Sequence, residues 1–141
     1  MLKGIDPVLS PDLLKTLCEM GHGDEIVFAD AHFPAASVAR AGGAVYLRAD
    51  GVDIPRLMRG LAPLFDLDKY ATPVVMMAAV EGDVLDPASE ANIRAALSYT
   101  GGVERMERTA FYARARAAYA VVATGDVAQY GNVILKMGNL T

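Results

Sequence analysis

The chain has 141 residues, and its 13 Lys and Arg against 17 Asp and Glu give a formal net charge of −4. With no basic stripe it lacks the electrostatic footprint of a phosphate-backbone binder. That excludes nucleic acid as a partner and leaves a neutral or small polar ligand as the better fit. Hydrophobic residues make up 53% of the chain and the mean hydropathy is +0.26. This is more apolar surface than one small subunit readily hides, so a homo-oligomer is expected.

Residues 1–141 read as a single domain, without a repeat, linker or low-complexity segment. The lone cysteine, Cys18, excludes an intrachain disulfide and a cysteine-based metal site. It falls on the apolar stripe of the first predicted helix and is expected to be inert. The N-terminus lacks the pattern of a signal peptide, and the longest apolar run, Pro73 to Val80, is too short to span a bilayer. The expectation is a cytoplasmic protein with no membrane partner.

In chain order, Ser10-Pro11-Asp12 opens the first helix. Ser10 can cap free amides, Pro11 already holds a helical φ, and Asp12 faces the positive end of the dipole. Leu13, Leu14, Leu17 and Cys18 supply its apolar stripe, and Gly21 stops it. Glu25 to Asp30 is a strand, and Ala44 to Leu47 a weaker one before the Asp50-Gly51 turn. Asp53 and Pro55 open a helix carried by Leu57, Met58 and Leu61. Pro73 to Val80 is apolar throughout, the pattern of a strand buried on both faces. Asp86-Pro87 begins a helix running through Ile93 and Leu97 to Gly101-Gly102. A short strand over Val103 to Glu107, a compact helix from Thr109, and strands at Tyr119 to Thr124 and Asn132 to Lys136 complete the chain. Helices alternate with strands, which predicts an α/β fold. The expected form is a three-layer domain whose mixed or mostly parallel sheet has helices on both faces.

Three segments could carry chemistry. In Met20-Gly-His-Gly-Asp-Glu25, His22 stands between two glycines, just past a helix and just before a strand. Glycines there let the chain turn sharply and leave the imidazole uncovered, and histidine exchanges a proton near neutral pH. Asp30 ends the next strand, where ligands of α/β sheets gather. A role for His22 in capping the helix stands beside the catalytic one. His32, beside Phe33-Pro34, reads as a structural loop residue and Asp24 as a turn residue. A metal site from His22, Asp24, Asp30 and His32 matches no standard ligand spacing.

The second segment is Arg105 to Tyr112, in which either arginine could be a solvated charge. Arg108, at the mouth of the following helix, is well placed to donate to hydroxyls; Phe111 suits the core, and Tyr112 the core or a pocket wall. The third is Gln129-Tyr-Gly-Asn132, a turn signature that also offers a flat ring and an amide able both to donate and to accept. No phosphate loop, dinucleotide fingerprint or nucleophile motif is present.

Taken together, these segments resemble the family of bacterial sugar mutarotases that includes L-fucose mutarotase and D-ribose pyranase. The similarity spans essentially the whole chain. It is strongest from Leu17 to Pro34 and continues in Arg48 to Gly51, Val75 to Asp83, Ala110 to Tyr112 and Tyr130 to Asn132. His32-Phe33-Pro34 after the strand aspartate is closer to the fucose arm, since ribose-type members usually carry Gly-Leu-Pro there. The resemblance implies a catalytic role for His22 and substrate binding by Asp30, Arg108, Tyr130, Gly131 and Asn132. Glu107 and Thr109 flank Arg108 at places where members vary. The resemblance further implies interconversion of the α and β anomers of L-fucose by acid–base ring opening and closure. No cofactor and no metal would be needed. It also implies a ring-shaped decamer with sites completed across a subunit boundary. The alternatives are pyranose/furanose exchange on D-ribose, a sugar-binding module without turnover, and a metal-dependent isomerase.

Overall fold

The computed structural model describes residues 1–141 and contains one six-stranded sheet. The strands are β1 (Glu25–Ala29), β2 (Val45–Ala49), β3 (Val74–Met77), β4 (Glu104–Met106), β5 (Ala120–Thr124) and β6 (Val133–Lys136), in the order β2-β5-β1-β6-β3-β4. The β1–β5, β2–β5 and β3–β4 pairs are parallel. Only β6 runs antiparallel, wedged between β1 and β3. The carboxyl ends of β1, β3, β4 and β5 therefore share an edge with the first residues of β6.

Five helices cover the sheet: α1 (Pro11–Glu19), α2 (Ala35–Gly42), α3 (Ile54–Leu61), α4 (Pro87–Leu97) and α5 (Arg108–Arg116). Side chains alternate across the strands, so Ile26 and Phe28 of β1 face one way and Val27 and Ala29 the other. The first face packs on Leu13 of α1, Leu57, Met58 and Leu61 of α3, and Ile93 of α4. The second packs on Val38 and Ala39 of α2 and on Phe111 and Ala115 of α5. This is the three-layer α/β arrangement expected from the sequence. Fully burying each large side chain contributes about 1.5–3 kcal/mol. No helix is long and apolar enough to cross a membrane.

The expected caps form. Ser10 Oγ accepts from Leu13 N at 3.1 Å, Asp53 Oδ1 from Arg56 N at 2.7 Å, and Asp86 Oδ1 from Ala88 N at 2.9 Å. Several details differ from the sequence reading: α4 ends at Leu97, with Ser98 left-handed, rather than at Gly101-Gly102, and α1 is capped by Met20 rather than stopped by Gly21. Helix α2 was not foreseen, because no side-chain cap marks its start and alanines make up much of it. The strand expected over Pro73 to Val80 leaves the sheet after Met77, and Val80 is exposed. Glu107 is no strand residue; its carboxylate accepts from Thr109 N and Ala110 N, so α5 begins at Arg108. Cys18 is exposed rather than packed, since α1 buries Leu13 and Thr16 instead.

Candidate active site

The shared carboxyl edge brings distant sequence segments together. Asp30 leaves β1 where Asn132 enters β6, and Asn132 Oδ1 accepts from Asp30 N at 2.7 Å. Asp30 Oδ1 accepts in turn from His32 N and Phe33 N, both at 2.9 Å, which turns the chain sharply after the strand. Both side chains are buried, Asp30 to 7% exposure and Asn132 to 4%. Burial raises the Asp30 pKa above the ordinary carboxylate value, against the pull of the His32 and Phe33 amides. Its Oδ2 and the Asn132 Nδ2 remain available to a ligand.

These two residues line a cavity of about 270 Å³, smaller than the ~300–1,000 Å³ of drug-sized sites and suited to one small ring. Arg108, Gln129, Tyr130 and His32 supply the other polar groups of the wall. Phe33, Met77, Val80 and Tyr112 supply the apolar part. Phe33 and Tyr112 stack with ring centroids 4.9 Å apart, and the Arg108 guanidinium lies 5.4 Å from the Tyr112 centroid. An opposed polar edge and aromatic wall fit a sugar, which has hydroxyls around its rim and C–H groups on its faces.

Tyr130 has φ +57°, a left-handed conformation rare outside glycine. Its hydroxyl donates to Asp83 Oδ2 at 2.6 Å, and this bond holds the phenol pKa above its usual value. Gly131 serves the same turn: its amide donates to Ala128 O, and a Cβ would lie 3.0 Å from that oxygen. It stands next to the cavity wall without lining it. Arg105 is committed elsewhere, to Met77 O and Glu90.

His22 lies at the other end of β1. Asp30 lies five positions beyond Glu25, roughly 16 Å of strand, so one chain does not bring the imidazole to the cavity. The turn that presents His22 uses Gly23 at φ +89° and a bond from Gly21 N to Asp24 Oδ2 at 2.8 Å. The ring is 42% exposed at its side chain, and Nε2 lies 3.1 Å from Asp68 Oδ1. Burial pushes the Asp68 pKa up, but the Tyr70 amide and the His22 ring outweigh it and hold the carboxyl below its ordinary value. An ionised carboxylate only accepts, so Nε2 carries the proton and Nδ1 keeps a lone pair. The Tyr70 ring flanks the imidazole at 5.6 Å. His22 and Asp24 lie at one end of β1 with Asp30 and His32 at the other, so a single chain does not assemble the four-residue metal set weighed above.

Several members were not singled out from the sequence. Asp68 lies 46 residues from His22 and is joined to it only by the fold. Its one local signal is an Asx turn, Tyr70 N donating to its Oδ1 at 3.2 Å. Asp83 is likewise invisible without the Tyr130 contact. His32, expected in a structural loop, lines the cavity.

An α/β domain with a buried carboxylate–amide pair facing an aromatic wall at the carboxyl edge of its sheet is a domain for binding small polar molecules. The chain belongs to the RbsD / FucU transport protein family, whose sequence profile matches residues 3–140. Among solved structures it is similar to the fucose mutarotase of Streptococcus pneumoniae in complex with L-fucose. The two share 43% identity over 99% of this chain and 100% of that one, with a TM-score of 0.90. FucU from Bifidobacterium longum is 38% identical, over 99% of this chain and 100% of that one, with a TM-score of 0.87. RbsD of Bacillus subtilis complexed with D-ribose shares the fold at 23% identity, over 100% of each chain, with a TM-score of 0.77.

Proposed function

We propose that the protein is an L-fucose mutarotase. The observation that carries this reading is the meeting of Asp30, Arg108, Tyr130 and Asn132 in one cavity of a chain 43% identical to a fucose mutarotase along its whole length. Asp30 and Asn132 bind sugar hydroxyls, Arg108 donates to others, and Tyr130 covers a ring face. Gly131 keeps the turn that sets Tyr130 and Asn132 side by side.

Mutarotation needs a proton delivered to the ring oxygen and one removed from the anomeric hydroxyl. The C1–O5 bond then breaks, the aldehyde rotates about C1–C2, and the ring closes on its other face. No electrons leave the sugar. His22 moves the key proton through Nδ1, while Asp68 on Nε2 orients the ring. Because His22 and Asp30 occupy opposite ends of β1, His22 of one copy serves the cavity of another. The active form is therefore a homo-oligomer, a decameric ring by the family resemblance. The single thiol of the chain, Cys18, supports a reducing, cytoplasmic location.

Saturation-transfer NMR between the α and β anomers of L-fucose, with D-ribose run in parallel, tests the proposal. Faster exchange of fucose is expected. Acceleration of ribose ring exchange alone would indicate the pyranase activity instead, and binding without acceleration a module without turnover.

A further inference from the structure

We propose that Asp83 is a positioning residue of the sugar site, which latches the loop after β3 onto Tyr130 and fixes which way the phenol can hydrogen-bond. This inference rests on the sugar-site reading above. Tyr130 is held on two sides. Its hydroxyl donates to Asp83 Oδ2 at 2.6 Å and accepts from Val80 N at 3.3 Å. Gln129 Nε2 stands 3.5 Å from the same Asp83 oxygen. Residues 80–83 thus tie the β3–α4 connection to the segment entering β6, 47 residues away along the chain. Val80, Gln129 and Tyr130 all line the cavity, so the latch forms part of its wall. Asp83 itself does not line it.

The latch has a chemical consequence. A phenol owns one proton, and here Asp83 takes it. The hydroxyl can then only accept from a sugar O–H. A free phenol would offer either polarity and a mobile ring. The left-handed backbone of Tyr130 costs a non-glycine residue energy, and the Asp83 bond helps hold the ring against relaxation out of that turn. Removing Asp83 should weaken sugar binding while leaving proton transfer by His22 intact.

The test compares wild type with Asp83→Ala, Asp83→Asn, Tyr130→Phe and the Asp83→Ala/Tyr130→Phe pair. KM and kcat come from anomer exchange of L-fucose, and the Tyr130 ring is followed by ¹³C-tyrosine NMR during a pH titration. Asp83→Ala should raise KM about tenfold with kcat within about threefold of wild type, and should make Tyr130 ionise at lower pH. Asp83→Asn, which still offers an acceptor, should restore KM to within about threefold. The double variant should be no worse than Tyr130→Phe alone, as expected for two residues acting through one contact. A wild-type KM in Asp83→Ala, or losses that multiply in the double variant, overturns the latch alone. Wild-type protein that neither binds nor exchanges any sugar overturns the latch and the sugar-site reading together.

Discussion

Asn132 Oδ1 accepts from the backbone N–H of Asp30 at 2.7 Å, so the first residue of one site segment is aligned by the last residue of another. The bond is buried and spans the seam where β6 reverses the direction of the sheet. Asn132→Ala leaves a buried N–H without its acceptor. The expected cost is about 1–3 kcal/mol of stability, read by urea unfolding, with a large rise in KM for L-fucose. A variant with wild-type KM would show that the amide is structural only.

Burial raises the Asp30 pKa above that of an unfolded carboxylate. The native state therefore binds more protons than the unfolded one above the ordinary carboxylate pKa of about 3.9. Stability contributed by this group is present below that value and is lost as pH rises through the raised pKa. Asp30→Asn should melt at or above the wild-type temperature at pH 7 and flatten the pH dependence just above 4. Its kcat/KM should fall by about 10–100-fold, the worth of a charge-assisted hydrogen bond of roughly 1.5–3 kcal/mol. Calorimetry across pH with parallel exchange kinetics checks both halves.

Asp68 behaves oppositely. Its folded pKa lies below the ordinary value, so its contribution is present above that value and is lost as pH falls through the lowered pKa. Asp68→Asn keeps the shape but removes the charge behind His22. The expected result is a kcat at least about tenfold lower with little change in KM, because the loss falls on proton transfer, worth about 10²–10⁴-fold in all. Equal losses in kcat and affinity would instead indicate a displaced turn.

Gly42 ends α2 where it crosses α5, and a Cβ there would sit 1.6 Å from the Arg116 carbonyl oxygen. Gly42→Ala should force the two helices apart and destabilise the fold by about 1–3 kcal/mol or more. Thermal melting measures it directly; a wild-type melting temperature would mean that this contact relaxes freely.

The layers were legible because each rests on a local signal. Ser10, Asp53 and Asp86 announce helix starts, and the unbroken apolar run from Pro73 to Val80 announces a buried strand, of which Val74 to Met77 lies in the sheet. Helix α2 has no such signal, and its start is set by the turn that Asp30 makes with the His32 and Phe33 amides. The strand order was unreadable, since β6 is inserted between β1 and β3 by pairing across the chain. The same limit applies to the site. His22, Asp30 and the Tyr130–Asn132 segment stand out through glycines, a strand end and a turn. Asp68 and Asp83 contact side chains far away in sequence, and the one local mark on either is the Asx turn at Asp68. His32 sits in the turn after Asp30, as a loop residue, and that turn also sets its imidazole on the cavity wall, a placement no local signal marks.

The shared-site account is tested most directly by complementation. His22→Ala is expected to be nearly inactive alone, and Asp30→Asn to keep only about 1–10% of wild-type kcat/KM. Co-expressed, they assemble mixed oligomers in which some cavities take Asp30 from one copy and His22 from another. Random pairing of copies restores about a quarter of the wild-type exchange rate. Mixed oligomers no more active than either variant alone would contradict the account, as would full activity in His22→Ala.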